Sequence, residues 1–183
     1  MFKKLSTLIL VLFLLPTICF ADVNKELDNL FKKLEKIQDQ NIARNIEDQI
    51  WKLWTTHHSN NDLTQMMNYG TVLMNNRNYD EANRIFTQII DADPNWAEGW
   101  NKRATVYYYQ KKYELSQADI DKVIKLENRH FGALSGQGMV QIKLDNLEKA
   151  LDSYKEVLKI YPSNKAAQKL VDEIEKVIKE ETI

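Results

Sequence analysis

The stretch AEGWNKRATVYYYQ, residues 97–110, decides the fold. Trp100, Ala104 and Tyr107 stand at i, i+4 and i+7, the spacing of one packing stripe on a helix. Arg103 falls in the same stripe at i+3, while Tyr108 and Tyr109 point elsewhere. Ala104 explains the arrangement, because a step of 34 residues in either direction meets another small residue, Gly70 or Gly138. The same step joins Ala82, Ser116 and Ala150, then Phe86, Ile120 and Tyr154, and Pro94, Asn128 and Pro162. Four columns with one period define an internal repeat.

The columns have a physical sense. Small residues at two fixed places let two antiparallel helices cross closely, and the bulky residue one turn later fills the space beside the crossing. Proline lacks an N–H and stops the second helix. This pattern resembles the tetratricopeptide repeat, in units 63–96, 97–130 and 131–164, with Ser116 and Asn128 as mild departures in the middle unit. The resemblance implies an all-α fold, a right-handed α-solenoid of antiparallel helix pairs. Residues 165–183 carry Ala167, Leu170, Val171, Ile174, Val177 and Ile178 on one stripe and read as the solvating end helix that such a stack requires. Residues 22–62 read as a helical hairpin and linker. Leu27, Leu30, Phe31 and Leu34 form one stripe of it, and Ala43, Ile46, Ile50, Leu53 and Trp54 the other. It is a candidate degenerate fourth repeat, with Glu47 where the bulky residue would stand.

Residues 1–21 are set apart from the fold. Lys3 and Lys4, an apolar run from Leu8 to Leu15, and Cys19-Phe20-Ala21 before Asp22 are the parts of a secretory signal. The rival reading is an uncleaved anchor, but the run is short for a span of roughly 20 residues and Pro16 breaks it. Cleavage at Asp22 removes the single cysteine, so the exported chain is expected to have no disulfide and no thiolate site. It also removes two lysines, taking the net charge from −1 to −3. Without a basic run there is no electrostatic footprint for nucleic acid, and no membrane insertion is expected once the signal is gone. The expected location is outside the cytoplasm, in the periplasm.

Catalytic and metal-binding patterns are almost lacking. His57 and His58 are adjacent and read as a polar helix terminus rather than a metal pair. His130 reads as a cap between repeats. Gly136-Gln137-Gly138 lies inside a helix with no strand before it, which excludes a dinucleotide loop. Asp91 and Asp93 read as solvated turn residues. No cofactor, no metal and no enzymatic activity are expected.

The arginine in the opening stretch finds its partner through the repeat. Arg103 and Asp119 lie sixteen residues apart, at positions that the hairpin brings face to face. They are expected to form a structural ion pair, for which a planar guanidinium suits a partly buried carboxylate. The equivalent positions are Tyr69 with Ile85 and Gln137 with Ser153. The first helices of stacked repeats line a concave groove. Its expected residues are Met67, Thr71 and Met74 in the first repeat, Glu98, Asn101, Thr105, Tyr108 and Tyr109 in the second, and Ser135 and Met139 in the third. Methionine, aromatics and short polar groups make an adaptable peptide-binding surface. Gly132 and Gly136 lie outside the small-residue column, so either the helix packs closely there or bare backbone admits a ligand beside Tyr108. The basic clamp that related repeats use on chaperone carboxyl termini is missing, since its places hold Met67, Thr71, Lys102, Gly132 and Gly136.

The resulting expectation is a non-catalytic scaffold that binds a peptide segment of another protein in its groove, in bacterial envelope assembly. The alternatives are a structural homo-oligomer formed through Trp51 and Trp54, or an accessory subunit of an envelope enzyme.

Overall fold

The computed structural model describes residues 20–181, and the expected signal segment lies almost wholly outside them. Among the described residues the regular structure is helical: α1 (Phe20–Leu34), α2 (Gln40–Thr55), α3 (Asn61–Asn75), α4 (Tyr79–Ala92), α5 (Ala97–Tyr109), α6 (Tyr113–Leu126), α7 (Phe131–Lys143), α8 (Leu147–Ile160) and α9 (Lys165–Glu181). None of these is long and apolar enough to cross a membrane. Helices α3 to α8 form three consecutive antiparallel pairs, stacked in order and followed by α9.

The repeat is written into the backbone as well as the side chains. Arg77, Lys111 and Asp145, each 34 residues from the next, have φ of 61°, 60° and 60°. Each ends the first helix of its pair in the same way. In the first turn the Asn78 N–H donates to the Leu73 carbonyl (2.9 Å) and the Arg77 N–H to that of Met74 (3.0 Å), the six-to-one and five-to-two bonds that close a helix around one left-handed residue. The side chains that cross inside a pair are matched in size. A Cβ on Gly70 would lie 2.7 Å from the Phe86 ring, and one on Gly138 would lie 2.6 Å from the Tyr154 ring. The middle pair instead combines Ala104 with the smaller Ile120, both buried.

The N-terminal hairpin, a candidate fourth repeat from its sequence, packs mainly against the far end of this stack. Leu27, Leu30, Phe31, Ile46, Ile50 and Trp54 share one core with Phe131, Leu134, Tyr154, Val157, Ala167 and Val171, at the far end of the array. Helices α1 and α2 therefore fold across the third repeat and α9. The contact is aromatic at its centre: Trp54 stacks on His130 with centroids 3.9 Å apart, and Phe131 lies 5.0 Å from Trp54. Burying side chains of this size contributes roughly 1.5–3 kcal/mol each. Polar bonds fix the register at the edge. Gln40 Nε2 donates to the Ser163 carbonyl (2.7 Å), the Tyr161 hydroxyl to Glu47 Oε2 (3.2 Å), and Arg129 to Asp28 Oδ1 (2.7 Å). Glu47, the residue that breaks the repeat pattern, is polar because its partner is a tyrosine hydroxyl.

The linker 56–60 is held by one side chain. His57 Nδ1 accepts the N–H groups of Ser59 (3.2 Å) and Asn60 (3.0 Å), so its Nε2 carries the proton and donates to Asp93 Oδ2 at 2.9 Å. The rings of His57 and His58 stack 4.6 Å apart. No group of three or more His, Cys, Asp or Glu side chains among the described residues could hold a metal ion.

Candidate functional site: a pocket between α5 and α7

Arg103 joins α5 to α6 and α4. Its Nε and Nη2 donate to Asp119 Oδ2 and Oδ1 at 2.8 and 2.9 Å, and Nη1 reaches Thr87 at 3.2 Å. The guanidinium also lies over Trp100 (5.0 Å) and near Tyr107 (5.7 Å). Of the stripe that opened the sequence, only Ala104 is fully buried, and Trp100 and Tyr107 are half-buried flanks of the arginine. In the third repeat the matching positions hold a neutral version of this bond, Ser153 Oγ to Gln137 Oε1 at 3.0 Å.

The opposite face of α5 meets α7 across a cavity of ≈ 170 Å³. Asn101, Thr105, Tyr108, Tyr109, Ser135 and Met139 line it, with Ala104, Ser116 and Ile120 beneath and the bare backbone of Gly132 and Gly136 along one wall. Six of the expected groove residues therefore converge. Tyr109 and Met139 are exposed at the rim, and Tyr109 stacks on Tyr79 with centroids 5.5 Å apart. Tyr108 is more sheltered, packed against Tyr109 and Tyr113. Burial, with the neighbouring phenols, raises its pKa, which keeps the hydroxyl neutral.

Four expected groove residues lie elsewhere. Met67 and Met74 are buried with Leu63, Phe86 and Val106, because they face the next repeat's first helix rather than the groove. Thr71 does not line this pocket, although its hydroxyl donates to the Met67 carbonyl as those of Thr105 and Ser135 do to their own helices. Glu98 is only 1 % exposed and is the hub of a buried polar cluster. Its Oε2 accepts from His130 Nε2 (3.1 Å) and Asn101 Nδ2 (3.1 Å), and Oε1 faces Lys102 Nζ at 3.2 Å. Burial alone would push its carboxyl up, but His130 and Lys102 together hold it below the ordinary range. His130 also caps α7, since its Nδ1 accepts the Ala133 N–H at 3.0 Å. Sequence reasoning found the cap but not the carboxylate behind it, although both residues sit at the fixed edges of their repeats.

The two unexplained glycines have different causes. A Cβ on Gly132 would lie 2.5 Å from Trp51 Cη2, so that position is bare for the hairpin to dock. A Cβ on Gly136 would meet only Ile120 Cδ1 at 3.6 Å, so its bareness opens the pocket instead.

The pocket's serine and threonine hydroxyls are committed. Thr105 donates to the Asn101 carbonyl (2.9 Å), Ser135 to that of Phe131 (2.8 Å), and Ser116 to that of Ala104 (2.8 Å). Their oxygens keep only acceptor capacity.

Comparison with known proteins places this architecture. Models described as tetratricopeptide repeat match residues 66–95 and 101–165. A TPR repeat-containing protein of Rhizobium etli is 30% identical over 148 residues, which is 81% of this chain and 72% of that one. The chain belongs to the tetratricopeptide repeat (TPR) family. RNA polymerase II-associated protein 3 of Xenopus tropicalis is 30% identical over 104 residues, 57% of this chain but only 16% of that protein's length. Among solved structures, the first TPR of Spaghetti bound to the HSP90 peptide SRMEEVD has a TM-score of 0.61 and 27% identity, covering 63% of this chain and 92% of that one. The second TPR domain of human RPAP3, in complex with an HSP70 peptide, has a TM-score of 0.57 and 26% identity, covering 60% of this chain and 92% of that one. The TPR array here is thus homologous to peptide-binding modules.

Proposed function

We propose that this TPR protein is a non-catalytic adaptor that binds an extended segment of another protein in the pocket between α5 and α7. The observation that carries the reading is the convergence there of Asn101, Thr105, Tyr108, Tyr109, Ser135 and Met139 around an apolar floor, on the face presented by the first helices of adjacent repeats. Peptide complexes of homologous TPR modules support it. The adaptor works outside the cytoplasm, in the bacterial envelope, a setting supported by the signal-like residues 1–21. The homo-oligomer reading has less support, because within one chain Trp54 is buried and Trp51 packs on Gly132.

A photo-crosslinking amino acid at Met139 tests the binding face in the producing cell. A discrete polypeptide adduct is expected from position 139, and none from the exposed Val177 on α9. Tyr108→Ala should abolish it. Equal adducts from both positions, or none from position 139, would remove the pocket as the binding site. Intact mass of protein from the envelope fraction should start at Asp22.

A further inference from the structure

The pocket's chemistry points to what it takes, and the inference rests on the binding face proposed above. Its two ends differ. Along α5 and α7 the level of Asn101, Thr105 and Ser135 is polar, and the level of Tyr108, Tyr109 and Met139 is aromatic and thioether. Asn101 and Tyr108 are seven residues apart, roughly 10 Å along the helix. Between the ends the wall is Ala104, Ile120 and the bare backbone of Gly136.

At the polar end the hydroxyl hydrogens are spent inward. The Thr105 and Ser135 hydroxyls donate to their own helices. Asn101 is oriented by its amide nitrogen, which donates to the buried Glu98 carboxylate and leaves Oδ1 without a protein donor. A carboxylate pulling on the nitrogen side of an amide polarises the oxygen side, making Oδ1 a stronger acceptor. The cations that could have received an anion here are engaged elsewhere. Lys102 faces Glu98 and lies 5.7 Å from the centroid of the Trp51 ring, and Arg103 is paired with Asp119 on the other face. None of the lining residues is a lysine, arginine or histidine.

We propose that this pocket receives a lysine side chain of the bound segment, its ammonium set against Asn101 Oδ1, Thr105 Oγ1 and Ser135 Oγ. The fit has three parts. An ammonium brings three donors and no acceptor to three oxygens that can only accept. Its methylene stem covers the Ala104–Ile120 floor, as such stems do when the charged tip finds polar company. The Tyr108 and Tyr109 rings at the other end offer π-faces to the next cation or apolar residue of the segment. Polarity is opposite to that of the acidic peptide SRMEEVD bound by the homologous module. An acidic segment brings acceptors to acceptors and is rejected.

The test uses small probes and no partner, so it can fail while the binding face stands. The protein is titrated with n-butylammonium, n-butyrate and n-butyramide at constant ionic strength, and backbone amide and Asn side-chain NMR signals are followed. n-Butylammonium should give saturable shifts at Asn101, Thr105, Ser135 and Gly136, with a Kd on the order of millimolar for so small a probe. The other two probes should give no saturation. In a Thr105→Val, Ser135→Ala variant the bonds lost to helix carbonyls are additional to the helix's own, so the fold is retained. The same titration on it should weaken about tenfold, the weight of hydrogen bonds to a charged group. Saturation by n-butyrate, equal saturation by n-butyramide, no saturation by n-butylammonium, or unchanged binding in the variant would each overturn the assignment. If Met139 crosslinks persist under any of those results, the lysine is lost and the adaptor function is kept.

Discussion

Two glycines four residues apart on α7 should respond to the same substitution with opposite signs. Gly136→Ala adds a methyl into ordinary contact, 3.6 Å from Ile120 Cδ1, and neither glycine has a positive φ. Replacing a helical glycine by alanine then stabilises by about 0.5–1 kcal/mol. Gly132→Ala brings the same gain but drives Cβ to 2.5 Å from Trp51 Cη2 and 2.9 Å from Cζ2. The indole cannot swing away, because Trp54, His130 and Phe131 surround it with centroids 5.3, 5.6 and 5.6 Å distant. Overpacking costs about 1–3 kcal/mol, and a rigid ring at this distance puts the site at the upper end. The net loss is about 2 kcal/mol. The two variants should therefore differ by about 3 kcal/mol, or roughly 6–12 °C in melting temperature for a chain of this size. Thermal unfolding followed by circular dichroism reads this directly, with tryptophan fluorescence reporting the hairpin. If both variants are stabilised alike, the hairpin does not dock on α7 and the architecture described here is wrong.

Other consequences are equally accessible. Arg103→Ala and Asp119→Ala should each destabilise by about 3 kcal/mol, since each leaves a charge largely shielded from water without its partner. The double variant should lose far less than the sum in chemical denaturation, and additive losses would mean that the pair contributes nothing. The lowered Glu98 pKa makes its contribution present above the unfolded value of about 4.5 and lost as pH falls through the folded one. Stability of the native protein should thus fall on acidification below about pH 5, and Glu98→Gln should flatten that limb. Tyr161 is the alkaline counterpart, its pKa raised to about 12 by burial and the Glu47 carboxylate. Its contribution is intact below about pH 10 and lost as pH rises towards 12, so phenolate absorbance should lag and hairpin docking should loosen together in that window.

Much of this was legible because a repeat reports itself four times over. The Gly70, Ala104, Gly138 column and its bulky partners needed no structure to identify the helix crossings, and the Arg103–Asp119 spacing followed from the same register. The errors lie where one residue's neighbour belongs to another repeat. Met67 and Met74 carry groove-like chemistry at groove-like positions, but the superhelical stack brings Val106 of the next helix against them. Glu98 read as a groove residue because its countercharges are spread between its own helix and His130, thirty-two residues later. The hairpin shows the strongest limit. Its two apolar stripes predicted two helices and said nothing of which surface would cover them, since an aliphatic stripe fits any other.

That docking changes the order in which the molecule can assemble. In a simple repeat array each unit touches only its neighbours, so structure can grow from whichever end appears first. Here α1 and α2 are made before the residues they need, Phe131, Tyr161 and Ala167, and the Gln40–Ser163 bond spans 123 residues. The hairpin must wait, its apolar faces uncovered, until α7, α8 and α9 have been made. Contacts of such separation slow folding. They also bind the two ends of the array into one unit, so its repeats should melt together rather than peel away singly.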